Sequence, residues 1–587
     1  MSGALSMLRR VGAPCLIFAA AFLTFLPALN ADFVDTWDDY DNVVNNTGVH
    51  GLRAAQLRWM WTGTVGGHWI PLTWMSFGLN YALDGVNPRG YHLLNLLLHA
   101  AGATVFFFIV RRLLRAAGSA AAESDLSVGA AFAALLFAVH PLRVESVVWV
   151  TERKDVLCGF FFMLAVLAYL RAAGGATLRR GWTYASLAAT AAALLSKAAA
   201  LPLPAVLLLL DVYPLGRVRI IGWRRCLLEK LPWAAVAAIG AFIALRVVLM
   251  GNMVTGYETY GPGSRVAMTA YTFSFYPARW LWPLRLIPLY ELPVEVHLLA
   301  PRFLIPALAF VAVTALLFAL RRIFPAGLAA WTLSVLMLLP ISGIVHSGHQ
   351  LAHDRYSYLS GLGFAVLAGA ALGRVLSAGH AGRLRPPIVA LLSAVALLVV
   401  GTWGAESWRQ SRVWHDSETL WRWALDVDPA CALCHNNLGS VILETPPFDP
   451  VRAALAESHF REAIRLHPER PNAYQNLGAA LASQKRYPEA EVAFREFMRK
   501  YPEAVSGPGS LGVLLMEQGR YADAVPLLRQ AHGMQPEAPE LRVALGAALR
   551  ARAAELGRQG KRDEAAALLK EAAAVEPGAQ RSTTSAR

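Results

Sequence analysis

Residues 128–171 read VGAAFAALLFAVHPLRVESVVWVTERKDVLCGFFFMLAVLAYLR, two apolar runs joined by a short connector crowded with ionisable groups. A membrane-crossing helix takes roughly 20 predominantly apolar residues, so the runs near 128–147 and 156–171 are expected to be spans. Outward from this pair, further apolar runs lie near 11–29, 91–110, 182–196, 199–214, 231–250, 301–320, 325–345, 358–376 and 387–404. Together they predict about eleven spans. The 587 residues are 56% hydrophobic and 16% charged, which excludes an ordinary soluble protein.

The net charge of +14 raises nucleic acid as a partner, and the positions of the basic residues decide against it. They fall in short clusters between apolar runs, the pattern that orients a membrane protein with positive loops inside. Arg9 and Arg10, then Arg111, Arg112 and Arg115, then Arg171, Arg179 and Arg180, and further clusters at 217–230, 321–322 and 374–385 alternate accordingly. The first run lacks a small-x-small cleavage site and is expected to remain as a span rather than a signal peptide. The segment 266–290 (VAMTAYTFSFYPARWLWPLRLIPLY) is aromatic but holds Arg279, Arg285 and prolines. It is expected to lie in the interface or re-enter, because counting it would put Arg321 and Arg322 outside.

From about residue 415 the composition turns soluble and a period appears. Leu477-Gly478, Leu511-Gly512 and Leu545-Gly546 recur every 34 residues, the tetratricopeptide period. Gly478 with Ala490 and Gly512 with Ala524 are the expected helix crossings, with Phe494 and Leu528 filling the grooves. The unit starting at Leu438-Gly439 is longer, with an excess around 445–450. The last unit carries an insertion of seven residues before Ala565, close to two helical turns, so its apolar face returns in phase. Ser417 to Val427 reads as a lone repeat-type helix. These elements divide the chain into a membrane domain 1–407, a repeat domain 408–578 and a disordered tail 579–587. Such arrays bind extended peptides or proteins on a concave face, which is the expected role here; a spacer packed on the membrane domain is the alternative.

Cys431-Ala-Leu-Cys434-His435 matches a haem-attachment pattern. His435 also falls in register with Tyr474 at a helix packing position, which explains it without haem. A local disulfide or two buried thiols accounts for the cysteines. His346, His349 and His353 lack zincin or zinc-finger spacing, and no metal is expected.

With the positive clusters inside, the loops at 30–90, 140–155, around Lys197 and at 346–360 face outward. The first holds Asp38 and Asp39 beside Trp37, where a carboxylate against the membrane surface can serve as general base, although a solvated acidic turn is the simpler view of each. Its continuation HWIPLTWMSFGLNYAL (68–83) is weakly amphipathic, as for interfacial helices. The second pairs Arg143 with Glu145 and Asp155 with Arg153 and Lys154, as ion pairs or as cations for a lipid phosphate. Lys197 either snorkels to the interface or binds phosphate. Arg355, followed by Tyr356, is placed to grip an anionic leaving group.

Trp37-Asp38-Asp39, the run Gly90-Tyr91-His92 through His99, Phe137-Ala-Val-His140-Pro-Leu-Arg-Val-Glu145 with Arg153-Lys154-Asp155, Ser196-Lys197 and Arg355-Tyr356-Ser357-Tyr358 together resemble the transmembrane and tetratricopeptide-repeat O-mannosyltransferases and their bacterial relatives. The resemblance covers essentially the whole chain, and the His-Pro-Leu block is its most specific part. It implies an all-α, C-type glycosyltransferase fold of membrane helices followed by a repeat solenoid. It also implies an inverting transfer of mannose or another hexose from a polyprenyl-phosphate donor, on the exported face, to a protein Ser or Thr or a glycan hydroxyl. By the same analogy Asp38 or Asp39 is the base, while Arg153, Lys154, Lys197 and Arg355 hold the donor phosphate. His92, His140, Glu145, Asp155 and Tyr356 are further site candidates. The expected location is a bacterial inner membrane, with the N-terminus cytoplasmic and the repeats periplasmic. The expected partners are membrane lipid, the lipid-linked sugar and an acceptor on the repeats. A non-catalytic scaffold that recruits envelope proteins is the competing expectation; a transporter is disfavoured by the few charges within the spans.

Overall fold

The structure, a computed structural model, describes residues 2–118, 122–251, 255–345, 348–445 and 449–575. The predicted tail and His346 lie outside the described residues. The chain is all-α, with one antiparallel ribbon of β1 (Tyr290–Glu291) and β2 (Gln350–Ala352) among them. It divides into two units, Met1–Val427 and Asp428–Arg587.

The first unit runs through α1 (Ser2–Thr24), α2 (Ala54–Thr62), α3 (Pro71–Asp84), α4 (Pro88–Ala116), α5 (Glu123–Val139), α6 (Val144–Val148), α7 (Arg153–Ala172) and α8 (Arg180–Ser196). It continues through α9 (Leu203–Val212), α10 (Arg217–Met250), α11 (Pro262–Leu281), α12 (Pro301–Ala319), α13 (Pro325–Leu338), α14 (Ser357–Ser360), α15 (Leu362–His380), α16 (Pro386–Ser411) and α17 (Ser417–Val427). Local sequence sets several of the starts. Asn87 accepts from the Arg89 N–H ahead of Pro88 at the first turn of α4. His140 ends α5, its Nδ1 accepting from the Leu142 N–H, so the chain bends by 56° into the segment Pro141–Val148.

All eleven predicted spans coincide with helices, which differ in length. Among the described residues six helices are long and apolar enough to cross a membrane by themselves, or seven if the bent pair across His140 is one span. Gly12–Thr24, Ala198–Val212 and Pro325–Ile341 are shorter apolar helices, and α8 has only 17 residues. Pro202 and Pro340 lie within the segments Ala198–Val212 and Pro325–Ile341, and Pro214 follows the first of them. The segment 266–290 is helical only to Leu281 and is not among the six.

The chain is a multi-pass membrane protein, and its packing says which helices meet lipid. In α4 and α7 most of the apolar window is buried within the protein, whereas in α10, α12 and α16 almost none is. A helix apolar all round and uncovered by protein requires hydrocarbon around it. Inside, α5 and α15 cross in backbone contact: a Cβ placed on Gly129 would lie 2.5 Å from the Gly369 carbonyl oxygen.

The second unit is the repeat array, built of α18 (Ala432–Glu444), α19 (Pro450–Leu466), α20 (Pro471–Ser483), α21 (Tyr487–Lys500), α22 (Ser506–Glu517), α23 (Tyr521–Met534), α24 (Pro539–Arg558) and α25 (Arg562–Val575). The small residues sit where the period places them. A Cβ on Gly478 would lie 2.5 Å from the Phe494 ring, and one on Gly512 would lie 2.7 Å from Leu528. The seven inserted residues lengthen α24 to 20 residues, against 13 in α20, and Ala565 is buried against it. Cys431 and Cys434 are joined as a disulfide, and the His435 Nδ1 meets the His459 Nδ1 at 2.9 Å.

The predicted boundary at 407/408 falls instead at Val427/Asp428. α17 carries an apolar stripe like a repeat helix, but that stripe serves the membrane unit. The Trp421 indole N–H donates to the Thr36 hydroxyl, the Trp423 indole N–H to the Leu286 carbonyl, and the Asp35 N–H to the Ser417 hydroxyl.

Candidate functional site

The site begins with Glu152, a fully buried carboxylate at the start of α7. Lys154 lies 3.1 Å from its Oε1, the Lys197 Nζ 3.0 Å from its Oε2, and the Arg355 Nε 3.3 Å from its Oε1. A buried anion is tolerable only when paired, and here cations from three separate segments pair with one carboxylate. Lys197 reaches the Asp155 Oδ1 at 2.8 Å as well. Glu145 accepts from the Arg355 N–H at 2.8 Å and from its Nη1. The Arg355 guanidinium lies over Trp149 and Tyr356, each 5.2 Å from ring centre, with Trp37 at 5.9 Å. Thus Lys154, Lys197, Arg355, Glu145, Asp155 and Tyr356, distant in sequence, come together.

The two adjacent aspartates part company. Asp39 is fully buried, its Oδ2 accepting from the Val34 N–H at 2.9 Å and its Oδ1 from the Thr151 N–H and hydroxyl at 2.8 and 2.5 Å. Burial pushes its carboxyl up to about 6, with the Thr151 hydrogen bonds opposing. Asp38 is half-buried, and its carboxylate has no hydrogen-bond or ion-pair partner among the described residues. Burial raises its pKa, against the lowering pull of nearby Lys154 and Arg355.

Three predicted site residues lie elsewhere. Arg153 turns away from its neighbour Lys154: its Nε donates to the Asn95 Oδ1, its Nη1 to the Asn80 Oδ1 at 2.8 Å and its Nη2 to the Tyr91 carbonyl at 2.7 Å. With each of its three guanidinium nitrogens engaged it ties α3 and α4 to α7, away from the cluster. His140 is fully buried, its Nε2 3.0 Å from the Trp280 carbonyl and its ring against Trp403. His92 is buried against the backbone of Ala31, Asp32 and Val148. Among the described residues no group of three or more His, Cys, Asp or Glu is placed to hold a metal ion.

The tetratricopeptide-repeat family model matches residues 472–505 and 509–534. Over most of the chain the curated protein O-mannosyl-transferases match: TMTC4 of Mus musculus at 25% identity over 71% of this chain and TMTC1 of Homo sapiens at 25% over 80%. Tmtc3 of Drosophila melanogaster matches at 24% over 72%. The chain is a relative of the transmembrane and tetratricopeptide-repeat O-mannosyl-transferases. It spans 62%, 56% and 51% of the length of these three relatives respectively.

In this O-mannosyl-transferase relative the sequence signal missed two residues of the cluster. Glu152 stands in the same Thr-Glu-Arg-Lys-Asp run as the predicted cations, and a paired anion beside them was its available sign. His68 had none. It stands alone in an aromatic loop, yet the fold brings it, an exposed residue with protein crowded round its ring, near the charges of the cluster. That crowding, then the charges of Lys154 and Lys197, push its imidazole down to about 3. Near His68, the Thr73 hydroxyl donates to the Ser196 carbonyl at 3.1 Å, joining α3 to the chain just before Lys197.

Proposed function

We propose that this protein is a membrane glycosyltransferase that moves a hexose from a polyprenyl-phosphate carrier to a hydroxyl of a protein or glycan on the exported face. Asp38 takes the proton of the acceptor hydroxyl as its oxygen attacks the anomeric carbon. The bond from that carbon to the phosphate oxygen breaks with inversion, and the electron pair leaves on the polyprenyl phosphate beside Lys154, Lys197 and Arg355. Because the phosphate is already a good leaving group, orientation, a base and cations suffice. The repeats hold the acceptor. The expected membrane is a bacterial inner membrane, with the Arg-rich loops cytoplasmic.

The observation that carries this reading is the unpartnered Asp38 carboxylate beside Lys154 and Arg355; the activity for which the relatives are named supports it. One observation favours the scaffold instead. Each of the three cations is already paired with a carboxylate, so the cluster also reads as a clamp between loops.

The test is transfer of labelled mannose from polyprenyl-phosphate mannose to envelope proteins by purified full-length protein. Asp38→Asn is expected to cost about 10² to 10⁴ in rate with unchanged melting. Full transfer by a folded Asp38→Asn variant removes the base, and absence of transfer by the wild type from any polyprenyl-phosphate hexose favours the scaffold.

A further inference from the structure

A cavity lies away from the ion cluster. It holds about 740 Å³ between α4, α5, α9, α13 and α15. On α4 the Tyr91 carbonyl is held by Arg153 near the cluster, whereas Leu113 and Leu114 line the cavity, roughly 33 Å further along the helix. The cavity therefore belongs to the opposite, arginine-rich end of the membrane unit. Its walls are mostly Leu, Val, Ala and Gly with Tyr213, Pro214, Phe324 and Ser377, and among the described residues the only charged side chains lining it are Arg374 and Arg383. No carboxylate joins them. Both arginines are exposed, and neither guanidinium has a hydrogen-bond or ion-pair partner among the described residues. The contrast with Arg115, which is bound to Glu123 at the same end, is direct.

We propose that this groove binds an anionic glycerophospholipid, its phosphate on Arg374 and Arg383 and its acyl chains along α15. Charge complementarity selects the headgroup: two unpaired guanidiniums with no carboxylate in the lining suit a phosphate bidentately, the nearby Asp125 carboxylate being taken by His380, and basic pockets between membrane helices take anionic headgroups. Length selects the tail. From Arg374 to Gly363, the far end of the lining on α15, is about 16 Å of helix, half of the roughly 30 Å hydrocarbon core. That is the depth of one leaflet. It suits an acyl chain anchored at the near surface and not a carrier whose phosphate must reach Asp38 at the other face. The walls explain why the space stays open: Ala329, Ala330, Ala370 and Ala371 line it where larger side chains would close it.

Native mass spectrometry of the full-length protein in mild detergent tests this, after separate incubation with phosphatidylglycerol, phosphatidylcholine and a polyprenyl phosphate. The wild type is expected to retain phosphatidylglycerol at least tenfold over phosphatidylcholine. The double variant Arg374→Gln/Arg383→Gln loses that preference, and Arg374→Lys/Arg383→Lys keeps most of it, which separates lost charge from lost fold. Ala371→Trp, which fills the groove from an exposed position, lowers phospholipid retention with both arginines present. Equal retention of the two phospholipids, unchanged retention in both the glutamine and tryptophan variants, or preference for the polyprenyl phosphate each overturns the assignment. Transfer activity is not read, so failure here leaves the proposal for Asp38 standing and the reverse.

Discussion

Thr151 gives Asp39 both of its donors, the backbone N–H at 2.8 Å and the hydroxyl at 2.5 Å, on the same carboxylate oxygen. The contact fastens the loop after α1 to the start of α7. It makes Asp39 a joint between segments and leaves its neighbour Asp38 without such a partner.

A stability prediction follows for Asp39. Replacing it with Ala strands the Thr151 and Val34 donors in a buried place, at about 1–3 kcal/mol for an unsatisfied group, read as a lowered unfolding midpoint in detergent. The pH dependence has a definite sign. The folded value, about 6, is raised above the ordinary 3.8, so the group's contribution is fully present below about 4 and is lost as pH rises through about 6. Acidification from pH 7 to 5 should therefore raise the midpoint of the wild type relative to Asp39→Ala. A pH-independent difference between the two proteins rejects a raised Asp39.

Asp38 makes the kinetic counterpart. A general base works deprotonated, so kcat/KM should fall as pH drops through its pKa. Burial raises that value, which places the acid limb above the ordinary aspartate range near about 4. A profile flat to pH 4, in a protein that stays folded there, assigns the proton to another group.

How far the sequence reaches can be read from these neighbours. Apolar runs and the 34-residue period are local patterns, so the helices of the membrane unit and the crossings at Gly478 and Gly512 were legible from spacing alone. The seven-residue insertion was legible too, because two turns preserve the apolar face of α24. What distinguishes Asp38 from Asp39, or Lys154 from Arg153, is not local. Asp39 is claimed by Thr151, and Arg153 by Asn95, Asn80 and Tyr91, partners that only the fold brings within reach. α17 misled for a related reason: an amphipathic stripe states that something will cover it and leaves open which unit does.

The crossing of α5 and α15 gives a packing prediction. Gly129 and Gly369 stand backbone to backbone, each leaving no room for a Cβ on the other. Such close approach uses small residues between membrane helices. Gly129→Leu or Gly369→Leu should force the helices apart and cost about 1–3 kcal/mol or more, measured as loss of thermal stability in detergent. Gly401, with open space around its Cβ position, supplies the control: Gly401→Leu on α16 should be nearly neutral. Similar melting of all three variants contradicts the contact.

The hub at Glu152 predicts strong non-additivity. Glu152→Met removes the carboxylate shared by Lys154, Lys197 and Arg355, leaving buried positive charges facing one another. Breaking such a pair from one side costs about 3–5 kcal/mol. Lys154→Met alone costs less, because Glu152 keeps two other cations. In the double variant the Lys154 charge is gone as well, so part of the repulsion created by losing Glu152 disappears. The double variant should then be more stable than the sum of the singles by about 0.5–3 kcal/mol, the range for residues in direct contact. Chemical or thermal unfolding of the four proteins gives the coupling directly. A coupling near zero means that Lys154 does not depend on Glu152, and then Lys154 is free to meet a phosphate without first giving up a partner.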